Sequence, residues 1–263
     1  MATTTARSGF QWLVEGIRLF RLQPLGFVGL FMTYLLLSFI LGFIPILGQI
    51  VGVLLIPVIA VVFMQACYLA DNGKIVSQDL FIKTLKLPSM RRLMWLGSLY
   101  FVAFALAFAG ASLVDGGALW NAIVHPKPID PKVAPNPKVL LGIVAAAVFY
   151  VPAMMAFWYA AALIVWRDLS VMKAIFFSFV SVQRAAAAFI VYGLAFALFG
   201  MMLPSFFCTL IASLIGNIYV VYVLFPPIVL LTTVVWYCSF YPTYTQVFGK
   251  PDHDAFDTHS AVV

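Results

Sequence analysis

Charge is what this sequence has least of. Only 9% of its 263 residues are Asp, Glu, Lys or Arg, where soluble domains carry roughly a quarter. With 64% hydrophobic residues and a mean hydropathy of +1.07, the chain cannot clothe itself in polar surface, which excludes a soluble globular domain. Cysteine is scarce as well. Cys67, Cys208 and Cys238 are odd in number and fall inside apolar runs, which argues against a disulfide framework and for small buried hydrophobes. The chain has no glycine-rich phosphate loop, no HExxH and no paired Cys or His at metal spacing. No cofactor and no metal site are expected.

A further absence bears on function. No charged residue falls in the middle of an apolar run, whereas intramembrane ionisable groups mark proton relays, ion sites and coupled transport. That argues against a proton-driven pump and against an intramembrane hydrolase that needs acid–base partners. The sequence predicts a non-enzyme.

What is present is hydrocarbon-soluble helix. A spanning helix needs about 20 mostly apolar residues, and six stretches qualify: 24–44, 47–70, 93–114, 139–166, 186–214 and 219–245. The reading is an all-α polytopic membrane protein with six transmembrane helices in three hairpins. One integral membrane domain occupies 1–250 and a flexible polar tail 251–263. The N-terminus shows no cleavable signal pattern, so the first span is expected to act as a signal-anchor.

Orientation follows from the polar loop Asp71–Arg92, which carries Lys74, Lys83, Lys86, Arg91 and Arg92. By the positive-inside bias this loop is cytoplasmic. Of the 15 Lys and Arg, 12 then lie on the cytoplasmic side, and Lys127, Lys132 and Lys138 on the other. Both termini come out cytoplasmic, in a bacterial inner membrane. The net charge of +6 is thereby a topology signal, and nucleic acid is not an expected partner.

A short amphipathic helix is expected before each hairpin. Ser8-Gly9-Phe10-Gln11 has the form of a capping box, followed by an apolar face of Phe10, Leu13, Ile17 and Phe20. Ser77 caps a second helix with Asp79, Lys83 and Lys86 opposite Phe81, Ile82 and Leu85. On the third, Lys173, Ser181 and Arg184 face away from Phe176, Phe177 and Val180. Such helices lie in the cytoplasmic headgroup layer. The three units form a repeat in which the even-numbered spans carry Pro57, Pro152 and Pro226-Pro227, each a kink site. Small residues Gly26, Gly29, Gly97, Gly193 and Ala145–Ala147 permit close helix approach, and Thr33, Ser38, Gln65, Thr209, Thr232 and Thr233 are placed to hydrogen-bond between helices. Met154, Met155, Phe157, Trp158 and Tyr159 form a packed face or a lipid-facing groove. The proline-rich loop Pro126–Pro137 is the largest segment on the far side. In the tail, Asp254 and its neighbours Asp252, His253, Asp257 and His259 are expected to be solvated.

The segment IVWRDLSVMKAIFFSFVSVQRAAAAFIVYG, Ile164–Gly193, resembles a broad group of bacterial six-span inner-membrane proteins, among them the membrane domain attached to some glycerophosphodiester phosphodiesterases. Asp168, Ala174, Ser178, Gln183 and Arg184 fit that group's span–turn–amphipathic-helix pattern, and GFQWLVEGIRLFRLQPLGFVGLF resembles the opening of its small proteobacterial members. The resemblance implies a fold and carries no catalytic residue. Two functions follow as expectations. One is an accessory, assembly or scaffold component that meets another membrane protein. The other is the handling or passive transport of lipid or hydrophobic solutes, with Lys83, Lys86, Arg91, Arg92, Arg167, Lys173 and Arg184 attracting anionic headgroups.

Neutralising Lys83, Lys86, Arg91 and Arg92 together is expected to disturb orientation. Reporter fusions after Lys74 and Asp130 that stay on opposite sides in the neutralised protein would contradict this.

Overall fold

The computed structural model describes residues 5–125, 136–217, 219–251, 254 and 256. Every regular element among them is helical. The chain runs α1 (Ala6–Leu22), α2 (Pro24–Gly42), α3 (Leu47–Asp71), α4 (Asp79–Leu85), α5 (Met90–Asp115), α6 (Ala118–Val124), α7 (Pro137–Phe157), α8 (Ala160–Trp166), α9 (Val171–Arg184), α10 (Ala186–Phe196), a π-helical turn (Ala197–Met202), α11 (Leu203–Ile215) and α12 (Tyr219–Phe248). Six of the described helical segments are long and apolar enough to cross a membrane: α2, α3, α5, α7 with α8, α10 through α11, and α12. Hydrocarbon offers no partner for a backbone amide, so a span must satisfy its own.

Three hairpins result, and α3 is their common neighbour, packing on α2, α5, α8 and α12. Burial is strongest where the charged loops lie. α3 is buried from Pro57 to Ala70, whereas Ile46, Leu47, Ile50 and Ile56 are exposed. Likewise α12 is buried at Val234 and from Cys238 to Tyr244, but Tyr219, Tyr222 and Val223 are about 70% exposed. The hairpins therefore meet at the charged end and separate toward their turns. Within the second hairpin α5 and α7 stay closely packed near the turn, where Ala111, Leu119 and Ala145 form a small cluster. Asp115 ends that hairpin arm. It is buried, and its carboxylate accepts the amides of Gly117 and Leu119 at 2.7 Å, an N-terminal cap for the unanticipated α6.

The faces that the amphipathic helices turn to the protein are lined by small residues as well as large hydrophobes. The cap of α1 is Thr5, and Ser8 sits in the first turn, its hydroxyl accepting the Thr5 amide at 3.3 Å. Its buried face is Gly9, Trp12, Leu13, Gly16 and Leu19, while Phe10 and Ile17 are exposed. Glycine explains the difference. A Cβ on Gly9 would lie 2.1 Å from the Ala188 carbonyl oxygen, and one on Gly16 would lie 2.8 Å from Ser239 Cα, so α1 lies wedged between α10 and α12. In α4 the inward residues are Leu80 and Thr84, with Ile82 and Leu85 exposed, and the Ser77 hydroxyl donates to the Asp79 carboxylate. In α9 they are Ala174, Ser178, Ser181 and Val182; Ser181 is thus buried, not on the charged face.

Each of these helices packs on the hairpin before it, α4 on α3 and α9 on α7 and α8. α1 has no preceding hairpin and packs on the last one, through α10 and α12, closing the three units into a ring.

Leucine at position 9 or 16 is expected to displace α1 and cost about 1–3 kcal/mol. Gly193→Ala, where a Cβ meets nothing within 4 Å, should be neutral or stabilising by up to about 1 kcal/mol. Reversible unfolding in detergent micelles reads both, and equal destabilisation at the three positions would contradict the wedge.

Candidate functional site

The fourth span is broken, and the break shapes a cavity. α7 stops at Phe157 and α8 begins at Ala160, beyond Pro152 in the chain. An unbroken helix would have the Tyr159 amide donate to the Met155 carbonyl. Here the Ser178 hydroxyl stands between them, accepting from Tyr159 N at 2.9 Å and donating to Met155 O at 2.9 Å. A side chain inserted into the ladder in this way interrupts the helix while keeping the Tyr159 amide and the Met155 carbonyl paired. Pro57, Pro152, Pro226 and Pro227 all sit inside continuous helices.

The break turns Phe157 and Trp158 toward the junction of the hairpins. Phe157 stacks on Tyr100 with ring centroids 4.3 Å apart, and Trp158 meets Phe240 edge-on at 4.9 Å. Trp158 Nε1 donates to Thr243 Oγ1 at 3.4 Å. Between them lies a cavity of about 300 Å³, bordered by Tyr34 of α2, Ala60 and Met64 of α3, Tyr100 of α5, Met154 of α7 and Trp236 of α12. All three hairpins contribute to it, and no residue lining it is charged. Of the expected groove residues, Met154, Phe157 and Trp158 line it, whereas Tyr159 is buried and donates its hydroxyl to Thr243 O at 3.1 Å.

Below the cavity a polar layer ties the hairpins together at the charged end. Asp71, at the end of α3, accepts Arg18 Nη2 of α1 at 2.9 Å and Lys250 Nζ after α12 at 2.7 Å. Gln23, between α1 and α2, donates to Lys74 O at 2.7 Å and accepts from Val76 N at 2.8 Å. Deeper in α3, the buried Gln65 accepts from Trp166 Nε1 at 3.2 Å and donates to the Asp254 carboxylate. Asp254, expected to be solvated, is buried, with Lys74 Nζ 3.5 Å away; Asp252, His253, Asp257 and His259 lie outside the described residues, as does the loop 126–135. A larger cavity of about 720 Å³ opens between α1 and α12 in this layer, and Glu15, Arg18, Asp71 and Lys250 on its wall are already paired with one another.

The basic residues anticipated for headgroups divide in two. Arg92 Nη1 donates to Asp168 O and Leu169 O, both at 3.1 Å, and Nη2 pairs with the Asp168 carboxylate. It holds the α8–α9 turn, where Asp168 takes a left-handed φ of 49°. Arg167 Nη2 donates to Phe248 O at 2.9 Å, closing the last turn of α12. Lys83 pairs with Asp79 at 2.6 Å within α4. Lys86, Arg91, Lys173 and Arg184 are exposed on the charged end.

Sequence reasoning also misplaced the hydroxyls. Thr33, Thr209, Thr232 and Thr233 bond back to carbonyls of their own helices, Gly29, Ser205, Ile228 and Val229, the common fate of threonine in a helix. Of the set, Gln65 reaches another helix. The bridging role of Ser178 had one visible signal, its place in the polar-turn pattern after the fourth span.

Arg92→Ala and Arg167→Ala are expected to lose about 1–2 kcal/mol of stability through their carbonyl hydrogen bonds, since the exposed Arg92–Asp168 ion pair itself contributes little. Lys86→Ala and Lys173→Ala should stay within about 0.5 kcal/mol of the parent. Thermal unfolding in detergent distinguishes the two pairs.

No family model matches the chain, and no solved structure matches it. It is 37% identical over 256 residues, 95% of this chain and 94% of the other, to a probable inner membrane protein of Burkholderia thailandensis. The chain belongs to the family of bacterial inner membrane proteins represented by that Burkholderia protein.

Proposed function

We propose that this is a non-enzymatic protein of the bacterial inner membrane that binds a lipid or another hydrophobic molecule between its three hairpins, with both termini in the cytoplasm. The observation that carries this reading is the uncharged, aromatic-lined cavity of about 300 Å³ at the hairpin junction. Concave sites lined by aromatic side chains with few polar groups are the ordinary form of a hydrophobic-ligand site. The polar groups here are the hydroxyls of Tyr34, Tyr100, Tyr150, Tyr237 and Thr233 and the indole N–H groups of Trp158 and Trp236, suited to orienting a neutral ligand. Low burial of the spans supports it too, since hairpins separated toward their turns leave the cavity within reach of the bilayer.

Lys86, Arg91, Lys173 and Arg184 serve in this reading as an anionic-headgroup contact around the charged end, worth roughly 1 kcal/mol per cation near the surface. The likeness to the membrane domain attached to some glycerophosphodiester phosphodiesterases belongs to the same proposal, as a shared lipid-facing scaffold without the hydrolytic part. An accessory or scaffold role makes no use of the cavity.

Native mass spectrometry of the protein extracted in mild detergent tests the reading. A lipid retained in stoichiometric amount by the parent, and reduced several-fold in Ala60→Phe, which fills the cavity, is the expected result. A stoichiometric protein partner with no retained lipid would overturn it in favour of the accessory role.

A further inference from the structure

The cavity has an apolar extension toward the turn of the first hairpin. A second cavity, of about 320 Å³, lies between α2 and α3, and Tyr34, Ile56 and Ile59 line both. Its walls are aliphatic at Leu37, Leu41, Val53 and Leu55, and its side-chain polar groups beyond Tyr34 are Ser38 and Gln49, toward the turn. The cleft thus joins the aromatic cavity at one end and a polar rim at the other.

Its length has a meaning in a bilayer. From Gly48 to Ile59 the helix rises about 16 Å, close to one leaflet of a hydrocarbon core about 30 Å thick. Two glycines define the cleft in opposite ways. Gly48 is required by packing, because a Cβ there would lie 1.8 Å from the Leu41 carbonyl oxygen; it lets α2 and α3 touch beside their turn. One helical turn on, Gly52 faces open space, with nothing within 4 Å of a Cβ, and no left-handed φ demands it. Glycine is a poor residue for a helix interior, and at Gly52 its effect is to keep the cleft empty.

We propose that the ligand is a lipid of the leaflet on the turn side, one acyl chain of which lies in the α2–α3 cleft with its tail in the aromatic cavity and its polar end at Ser38 and Gln49. The proposal rests on the hydrophobic-ligand reading above and adds the class, the route and the direction of the ligand. The walls select for a flexible aliphatic chain. A rigid, compact molecule would occupy the central cavity and leave the cleft unfilled. Direction follows from the polarity gradient, since Ser38 and Gln49 stand at the end nearest the headgroups of that leaflet, and no charged group lines either cavity.

The test uses the full chain in phosphatidylethanolamine vesicles containing a minor fraction of phosphatidylglycerol with a diazirine on one acyl chain, followed by illumination and peptide mapping. A diazirine at the chain terminus is expected to label the cavity residues Tyr34, Tyr100 and Tyr237, and one next to the acyl carbonyl to label Ser38 and Gln49. Gly52→Phe should abolish labelling from the terminal probe while the protein still unfolds cooperatively in detergent. Label at the cavity that survives Gly52→Phe but is lost in Ala60→Phe would overturn the cleft route and leave the hydrophobic-ligand reading standing. A reversed labelling order in the parent protein, a comparison independent of any variant's folding, would overturn the direction. Absence of label from both cavities in the parent protein overturns this proposal and the reading beneath it together.

Discussion

A backbone amide inside a bilayer has no water to fall back on, and the arrangement of this protein follows from how that condition is met. Six spans meet it as helix. One of them meets it while bent, because the Ser178 hydroxyl accepts from Tyr159 and donates to Met155, the two groups that an unbroken helix would have paired directly. The bend turns Phe157 and Trp158 into the space between hairpins, and the aromatic cavity exists there. A serine on an amphipathic helix thus determines the shape of a span it does not belong to.

Apolar helices in lipid gain little from hiding apolar surface against one another, so their association relies on close packing and on polar contacts. The polar contacts are concentrated at one end, and the close glycine packing occurs along the bundle. Gly9, Gly16 and Gly97 bring backbones together, the last where a Cβ would lie 2.4 Å from the Leu54 carbonyl oxygen. Asp71, Gln23, Gln65, Arg92 and Arg167 then bind chain segments far apart in sequence. With the fastening at the charged end, the hairpins are free to diverge toward their turns, and the same bundle can be firm at one face and open to lipid at the other. Two of the cations read as a headgroup patch, Arg92 and Arg167, take part in this fastening.

The spans were legible in the sequence because their signal is simple: long apolar runs bounded by charge or by turn residues such as Gly216 and Asn217. The short helices were legible as elements but not as faces. Amphipathic reasoning finds the apolar face of α1 at Phe10, Leu13, Ile17 and Phe20 and does not say which residues meet protein. In a membrane the exposed side is also apolar, so size no longer distinguishes protein from lipid; Gly9 and Gly16 mark the contact, because only glycine permits it. The same ambiguity hid the cavity, whose lining residues are ordinary span residues until the break at Trp158 brings them together. Asp254 was misjudged because a tail rich in charge reads as solvated, and nothing local reveals an amide waiting at Gln65.

Joining of the third hairpin gives the cavity a dependence that a linear reading misses. Each hairpin is followed in sequence by the short helix that packs on it, except the last, whose place is filled by α1 from the other end of the chain. That contact joins Trp12 and Ser8 to Gln246 across more than 230 residues, the costliest kind of loop to close by chain entropy. It forms only after the third hairpin is in place. The cavity needs residues from all three hairpins, so it too exists only when the third hairpin has joined the other two. Binding there is accordingly a property of the assembled bundle, and a ligand held between the hairpins adds to the fastening that α1 supplies at the charged end.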